Sequence, residues 1–269
     1  MIADAAKILR GEYVARDAEL LLMHTLDITR ASLLANPQRE LSQEEETRFL
    51  AMIAERATGK PIQYITGMQE FFGLAFAVTP NVLIPRPETE HLVEAVIARL
   101  PKDRPVKIAD VGTGSGAIAV ALAHALPLAQ VTALDSSPAA LDVAAHNAVA
   151  HGVEARVKFA HSDLLGACAG EVFDAIVSNP PYIAESEILE KQVREFEPSL
   201  ALFAGPTGYE IYERLIPQAH NSLCANGLLA LEIGFGQNVR AVELLRAWEC
   251  VELVGDLQGI PRVALARRG

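Results

Sequence analysis

Apolar and polar positions along this chain fall into blocks whose period changes from one region to the next. Over roughly the first sixty residues the spacing is helical. Ala15 to Leu26 is rich in Ala, Leu and Met, and Phe49, Met52 and Ile53 recur along one face behind Ser42-Gln43-Glu44-Glu45. Ser42 is placed to cap a helix and Glu45 to answer it three residues on, the capping-box pattern. Gly59-Lys60-Pro61 ends the last helix. The pattern predicts a small helical bundle over residues 1–66, expected to dock a substrate, and then a hairpin linker over 67–85. There the stretches become short, aromatic and β-branched around Gly67 and Gly73.

After a helix from about 88 to 100, near-continuous apolar runs at 106–111, 130–135, 155–160, 172–177 and 228–234 alternate with helical patterns at 115–126, 137–150 and 208–224. Strands apolar on both sides and separated by helices belong to a parallel sheet covered on both faces. Glu249 to Val254 and Val263 to Ala266 differ, because only a short Gly-Pro loop joins them. A parallel crossover needs a dozen or more residues, so the last strand must run antiparallel. The expected fold is α/β: over 86–269, a seven-stranded, mostly parallel, doubly wound sheet of Rossmann-like type, preceded by the helical bundle.

Composition narrows the setting. The chain has 269 residues, 51% of them hydrophobic, enough for one large domain or two smaller ones. No apolar run reaches the length of a membrane span. The first residues show no basic stretch followed by an apolar one, so a cytoplasmic location is expected. The cysteines, Cys168, Cys224 and Cys250, are far apart and lack zinc-site spacing, and the histidines are scattered singly. No metal is expected. The net charge of −11 and the dispersed Lys and Arg argue against nucleic acid as the main partner. A monomer is expected.

The most specific chemistry lies at Asn179-Pro180-Pro181-Tyr182, where the apolar run from Val172 to Val177 ends. Each proline locks its own φ and forces the preceding residue into an extended conformation. Asn179 and Pro180 are therefore held stiffly, with the Asn179 side-chain oxygen and the Pro180 carbonyl as neighbouring acceptors. Tyr182 adds a flat face. A planar NH2 group fits such a site: two acceptors for its N–H bonds and an aromatic surface to stack on. A turn that merely ends a strand is the plainer alternative.

A second motif precedes it. Ile108-Ala109-Asp110-Val111 runs into Gly112-Thr113-Gly114-Ser115-Gly116 and a helix of small residues. Such a loop lets the backbone approach a ligand closely at a helix N-terminus. Asp135 closes the next strand, where a carboxylate accepts both hydroxyls of a ribose. Gly112, Gly114 and Ala117 also satisfy the dinucleotide fingerprint, so the loop alone does not separate NAD from S-adenosylmethionine. Three features tip it: Asp110, since a carboxylate before the first glycine suits a cationic sulfonium or amino group and would repel pyrophosphate; the antiparallel last strand, unlike a second dinucleotide half; and Asn179-Pro180-Pro181-Tyr182 at the end of the fourth strand, beside the crevice where such sheets bind ligands. The plainer reading of Asp110 is a surface carboxylate at a strand end. Asp163-Leu164 follows the third strand, with Asp163 either an adenine acceptor or an ordinary cap.

These residues resemble the class I S-adenosylmethionine-dependent methyltransferases. The chain is more closely similar to the release factor glutamine methyltransferases, the HemK/PrmC family. The resemblance rests on Pro61 to Gly67, on Leu83-Ile84-Pro85-Arg86-Pro87-Glu88-Thr89-Glu90, and on Asp110 to Gly116. It rests also on Ser178-Asn179-Pro180-Pro181-Tyr182-Ile183, Phe196-Glu197-Pro198, and Asp256-Leu257 with Gly259 and Arg262. It implies methyl transfer from S-adenosylmethionine to the side-chain nitrogen of glutamine in the Gly-Gly-Gln motif of peptide chain release factors. Gly112 to Gly116, Asp135, Asp163, Leu164 and Asn179 would line the cofactor, and Asn179, Pro180, Pro181 and Tyr182 would hold the glutamine. Arg86 would bind a substrate or cofactor carboxylate, or serve as a structural hinge; Glu197 would be a rim residue or structural. Leu164 stands where the family often has an aromatic residue, and Ala204-Gly205-Pro206-Thr207-Gly208 replaces a loop that often carries Gly-Gly and Asp.

Two rivals remain at this point. A nucleic-acid methyltransferase acting on an exocyclic base amine would use the same tetrapeptide, because adenine also presents a planar NH2. An NAD-dependent oxidoreductase or a non-catalytic nucleotide-binding module would use the glycine loop but leave the tetrapeptide without a role.

Overall fold

The computed structural model describes residues 8–9 and 14–269. The parts of the expected bundle at residues 1–7 and 10–13 lie outside the described residues. The chain divides into two compact units. One runs to Met68 and takes in Leu189–Phe196; the other comprises Gln69–Ile188 and Glu197–Gly269.

In the first unit, α1 (Val14–Leu26), α2 (Arg30–Ala35), α3 (Gln43–Ala57) and α4 (Ile62–Thr66) follow the helical spacing of the sequence. The capping box at α3 is complete. Ser42 Oγ accepts the Glu45 N–H at 3.2 Å, and Glu45 Oε2 accepts the Ser42 N–H at 2.9 Å. Ala18, Leu21 and Leu22 of α1 pack against Phe49 and Ile53 of α3. Fully burying a leucine- or phenylalanine-sized side chain contributes about 1.5–3 kcal/mol, so this small core is the main cohesion of the unit. Arg56 and Asp17, paired at 2.7 Å, tie α3 to α1.

The second unit opens with a hairpin, β1 (Met68–Phe71) and β2 (Leu74–Ala77). Its turn residues, Phe72 and Gly73, have φ of 53° and 71°. Two central residues with positive φ match the twist of antiparallel strands. From Gln69 on, the hairpin belongs to this unit, with Phe71 and Phe76 fully buried in its core. The helix expected from 88 begins as a 3₁₀ turn, Pro87–Thr89, and continues as α5 (Glu90–Ile97).

The chain then alternates β3 (Val106–Val111), α6 (Ala117–Ala125), β4 (Ala129–Asp135), α7 (Pro138–Ala150), β5 (Val157–His161) and β6 (Phe173–Ser178). Beyond β6 come β7 (Ile183–Ala184), α8 (Lys191–Phe196), β8 (Phe203–Gly205), α9 (Glu210–Ser222), β9 (Leu223–Glu232), α10 (Asn238–Leu244), β10 (Glu249–Gly255) and β11 (Pro261–Arg267). Among the described residues, the central sheet has seven strands in the order β10-β11-β9-β6-β3-β4-β5. β11 is antiparallel to both its neighbours, and the pairings among β9, β6, β3, β4 and β5 are parallel. The expected fold class and the antiparallel last strand are both present. The short β7/β8 pair, α8 and α10 are additions that the apolar pattern did not mark.

Successive strand residues face opposite layers. Ile108, Val131, Ala175, Leu228 and Val263 join the core with α5 and α6. Ala109, Leu134, Ile176, Leu229 and Ala264 join the core with α9 and α10. Both faces are therefore apolar, which is why each strand reads as an unbroken hydrophobic run. From β3 the chain winds outward through β4 and β5, then returns to β6 on the other side. The carboxyl ends of β3 and β6 thus flank a topological switch point, where open α/β sheets bind ligands.

Candidate active site

A cavity of about 330 Å³ opens at that switch point. Gly112 and Gly114 after β3, Asp135 at the end of β4, Asp163 and Leu164 after β5, and Asn179 and Pro181 after β6 all line it. Asp110, Thr113, Ser115, Gly116, Pro180, Tyr182 and Arg86 do not.

The glycine loop is shaped from behind. Gly112 and Thr113 donate their N–H groups to the Leu134 carbonyl at 2.8 and 2.9 Å. Gly116 has a φ of 80°, and a Cβ there would sit 3.0 Å from the Ala144 Cβ, so close packing against α7 requires glycine. Asn147 of α7 binds the glycine loop and the end of β2 at once. Its Nδ2 donates to the Ser115 carbonyl at 2.8 Å and to the Ala77 carbonyl at 3.0 Å, while its Oδ1 accepts the Ala77 N–H at 2.8 Å.

Asp110 does not face the cavity, contrary to the expectation of a direct cofactor contact. Its side chain is fully buried. Oδ2 accepts the Thr113 hydroxyl at 2.7 Å and the Ala119 N–H at 3.1 Å, pinning the loop to the start of α6. Oδ1 is buried with no hydrogen-bond partner. Burial pushes this carboxyl up to about 7, against the pull of Thr113 and Ala119.

Asp135 faces the cavity with both oxygens half used. Oδ2 accepts the Gly114 N–H and Oδ1 the Ser137 N–H, each at 2.9 Å. A carboxylate oxygen has two acceptor sites, so one remains on each oxygen. That spacing fits two hydroxyls on adjacent carbons, as a ribose presents them. Leu164 holds a φ of 51°, unusual for a residue with a Cβ, and costs roughly 1–2 kcal/mol there. Ser162 fixes the turn, donating its hydroxyl to the Leu164 carbonyl at 2.8 Å and accepting the Ala167 N–H at 3.0 Å. Asp163, at the rim, is paired with Arg214 of α9; an adenine amino group there would share a carboxylate already engaged.

Asn179 and Tyr182 are held from several sides. Ser178 donates to the Val111 carbonyl at 2.6 Å, locking the ends of β6 and β3 together just before Asn179. Asn179 Nδ2 donates to the Thr89 hydroxyl at 3.0 Å. The Tyr182 carbonyl accepts Gln237 Nε2 at 2.9 Å, while Gln237 Oε1 accepts the Gly234 N–H at 3.0 Å. A Cβ on Gly234 would come within 2.9 Å of the Tyr182 ring. The Tyr182 hydroxyl reaches Glu232 Oε1 at 3.5 Å, a long contact. Burial, then the neighbouring Glu232 charge, pushes the tyrosine hydroxyl well above its usual range. Glu232 ends β9, 3% exposed. Burial pushes its carboxyl up to about 7.

Arg86 pairs with Glu197 at 2.5 Å, and Glu197 also accepts the Ile84 N–H at 3.3 Å. The Glu197 side chain is 2% exposed. This pair anchors the segment leading into Pro87–Thr89. Thr89, Gln237 and Asn147 were missed because their roles depend on partners distant in sequence. Glu232 alone carried a signal, a carboxylate ending the apolar run Leu228–Leu231.

A seven-stranded sheet with a reversed strand next to its edge, a glycine loop after the first strand and a carboxylate ending the second defines a class I methyltransferase domain. Solved structures agree at the level of fold. The T. thermophilus 16S rRNA N2 G1207 methyltransferase matches with a TM-score of 0.57 at 20% identity, over 75% of this chain and 50% of that one. A methyltransferase from Pyrococcus furiosus matches with a TM-score of 0.56 at 18% identity, over 82% and 98%. A family model described as the PrmC N-terminal domain matches residues 1–67, and one described as the methyltransferase small domain matches residues 89–198. The release factor glutamine methyltransferase of Koribacter versatilis is 48% identical over 93% of this chain and 90% of its own. That of Escherichia coli K12 is 40% identical over 96% and 93%. The chain belongs to the release factor glutamine methyltransferase family.

Proposed function

We propose that this enzyme methylates the side-chain amide nitrogen of the glutamine in the Gly-Gly-Gln motif of peptide chain release factors, using S-adenosylmethionine. The observation that carries the reading is the placement of Asn179, fixed by two prolines, on the wall of the cavity that Gly112, Gly114 and Asp135 also line. The names of the relatives support the substrate. No basic recognition segment favours a nucleic-acid substrate. Among the described residues, no helix is long and apolar enough to cross a membrane. A cytoplasmic monomer is the simplest form consistent with the proposal.

Bound S-adenosylmethionine supplies a methyl group activated by its positive sulfur. Gly112, Gly114, Asp135, Asp163 and Leu164 would hold it, with Asp135 on the ribose hydroxyls. The residues of this chain then act on the glutamine. An amide nitrogen is a poor nucleophile because its lone pair is delocalised into the carbonyl. Asn179 Oδ1 and the Pro180 carbonyl would accept its two N–H bonds, favour a pyramidal nitrogen and stabilise the positive charge that develops on it as the nitrogen–methyl bond forms and the methyl–sulfur bond breaks to leave a neutral thioether; one N–H proton would then pass to water. Preorganised dipoles aimed at developing charge are among the largest contributions to catalysis. Tyr182 fixes the plane of the amide and hence the line of approach.

Incubation with methyl-labelled S-adenosylmethionine and, in parallel, release factor, tRNA and DNA tests the proposal. Label is expected in the Gly-Gly-Gln peptide of the release factor. Label confined to nucleic acid would overturn it.

A further inference from the structure

Three glycines in the loop after β3 hold positive φ: Gly112 at 76°, Gly114 at 55° and Gly116 at 80°. Glycine loses more conformational freedom on ordering than any other residue, so such a loop keeps one shape only where it is fastened. Asp135 fastens it from β4, accepting the Gly114 N–H at 2.9 Å. From α7, Ala144 packs on Gly116, and Asn147 Nδ2 donates to the Ser115 carbonyl at 2.8 Å. Helix residues three apart share a face, so α7 meets the loop with one continuous surface. Gly112 and Gly114, the glycines that line the cavity, come just before these points.

Asn147 is itself fixed by a third element. It is 1% exposed. Oδ1 accepts the Ala77 N–H at 2.8 Å, and Nδ2 donates to the Ala77 carbonyl at 3.0 Å. An N–H only donates and a carbonyl only accepts, so these backbone partners allow the amide one orientation. Both Nδ2 protons are used, one in the hairpin and one in the glycine loop. A two-stranded hairpin is marginally stable by itself, and β1 and β2 have four residues each. Burial of Phe71 and Phe76 holds the hairpin to the core, and Asn147 holds the end of β2.

We propose that Asn147 is a positioning residue for S-adenosylmethionine. It holds the glycine loop in the shape that faces the cofactor and takes its own support from the hairpin, so that hairpin order and cofactor affinity are linked. Asn147 is not on the cavity wall and acts through Ser115 and Gly114. Linkage is reciprocal: bound cofactor steadies the end of β2 as the hairpin steadies the loop. This rests on the reading of the cavity as the S-adenosylmethionine site.

Asn147→Ala removes all three bonds. Kd for S-adenosylmethionine is expected to rise about 10- to 100-fold, with kcat at saturating cofactor and KM for release factor within about threefold of the parent. Asn147→Asp keeps the shape and the acceptor but loses a donor in either ionisation state, and is expected to bind at least tenfold more weakly than the parent. His151 supplies the comparison. It also joins α7 to the hairpin, with Nε2 2.8 Å from the Ala75 carbonyl, but among the described residues it has no bond to the glycine loop. His151→Ala is expected to lower Tm and to change Kd by less than about threefold. A lower Tm with unchanged Kd in Asn147→Ala, parent-like affinity in Asn147→Asp, or equal rises in Kd at both positions would each overturn the proposal. A further measurement uses the unsubstituted protein and needs no variant to fold. Saturating S-adenosylmethionine is expected to slow hydrogen exchange at the Ala77 N–H at least fivefold more than at the Phe72 N–H, which Glu90 holds at the hairpin turn. Equal slowing at the two amides would overturn the proposal. Failure of the parent to bind S-adenosylmethionine at all would defeat the cofactor reading itself and this proposal with it.

Discussion

Gln237 donates from Nε2 to the backbone carbonyl of Tyr182 at 2.9 Å and so couples the end of β9 to the proline-locked loop after β6. Its other end accepts the Gly234 N–H. The two ends of the amide have opposite polarity and both are used. Gln237→Glu keeps the acceptor, loses the donor and sets a carboxylate against a carbonyl. A loss of about 1–3 kcal/mol in unfolding free energy is expected, together with a lower kcat as the Tyr182 ring loses its fixed plane. Urea denaturation and steady-state kinetics on one preparation check both; a variant as stable and as fast as the parent would remove Gln237 from this role.

Asn179→Ala is expected to lower kcat by roughly 10²–10³, the usual loss for one preorganised partner of a developing charge. Asn179 sits on the cavity wall, not in the core, so folding should be close to normal. A folded variant with near-parent kcat would end the proposal that Asn179 grips the reacting nitrogen.

Asp135→Ala is expected to weaken S-adenosylmethionine binding by about 1.5–3 kcal/mol, roughly 10- to 150-fold in Kd. Because Asp135 also accepts the Gly114 and Ser137 N–H groups, the ligand-free protein should melt at a lower temperature as well. Titration calorimetry reads the first effect and a thermal scan the second. Unchanged affinity would take Asp135 out of the site.

Stability should depend on pH through the buried carboxyls. Burial pushes Glu232 from 4.5 to about 7, so between those values the folded state binds more protons than the unfolded one. Stability then falls as pH rises through that window and levels off above it, the reverse of a salt-bridged carboxylate. The Glu232 share is at most on the order of 3 kcal/mol. Asp110, raised to about 7 in the same way, adds to the fall. Glu232→Gln cannot ionise, so its stability relative to the parent should grow from pH 4.5 to pH 7 and stay constant beyond. Denaturation curves at four pH values check this; a constant difference across the range would contradict it.

The proposal that the helical unit docks the release factor is tested by truncation. Phe71 and Phe76 belong to the core of the catalytic unit, so the cut must fall before the hairpin, after residue 66. The shortened protein should bind S-adenosylmethionine as the parent does. KM for intact release factor should rise at least tenfold with kcat little changed, since uniform binding is what a docking surface contributes. Full activity on intact release factor would assign the helical unit another task.

What the sequence determined by itself was whatever is written in adjacent residues. Unbroken apolar runs such as Val106–Val111 marked strands buried on both faces, and the short loop before Pro261 required a reversed strand. Ser42 and Glu45 announced a helix start, and Asn179 to Tyr182 announced a stiff turn at the end of β6, because capping and proline geometry act within four residues. The β7/β8 pair escaped notice because strands of two and three residues carry no period. Polar Asn238 and Arg240 diluted the helical pattern of α10. Only the tertiary structure decided that Asp110 turns inward to hold the loop, while Asp135, also a carboxylate closing a strand, faces the cavity. The alternation along each strand sets which face a side chain takes, but the helix packed on that face decides what it meets. Thr89 and Asn179 lie ninety positions apart in sequence. Their contact exists because the sheet brings the end of β6 beside the turn that precedes α5, a juxtaposition that no local pattern encodes.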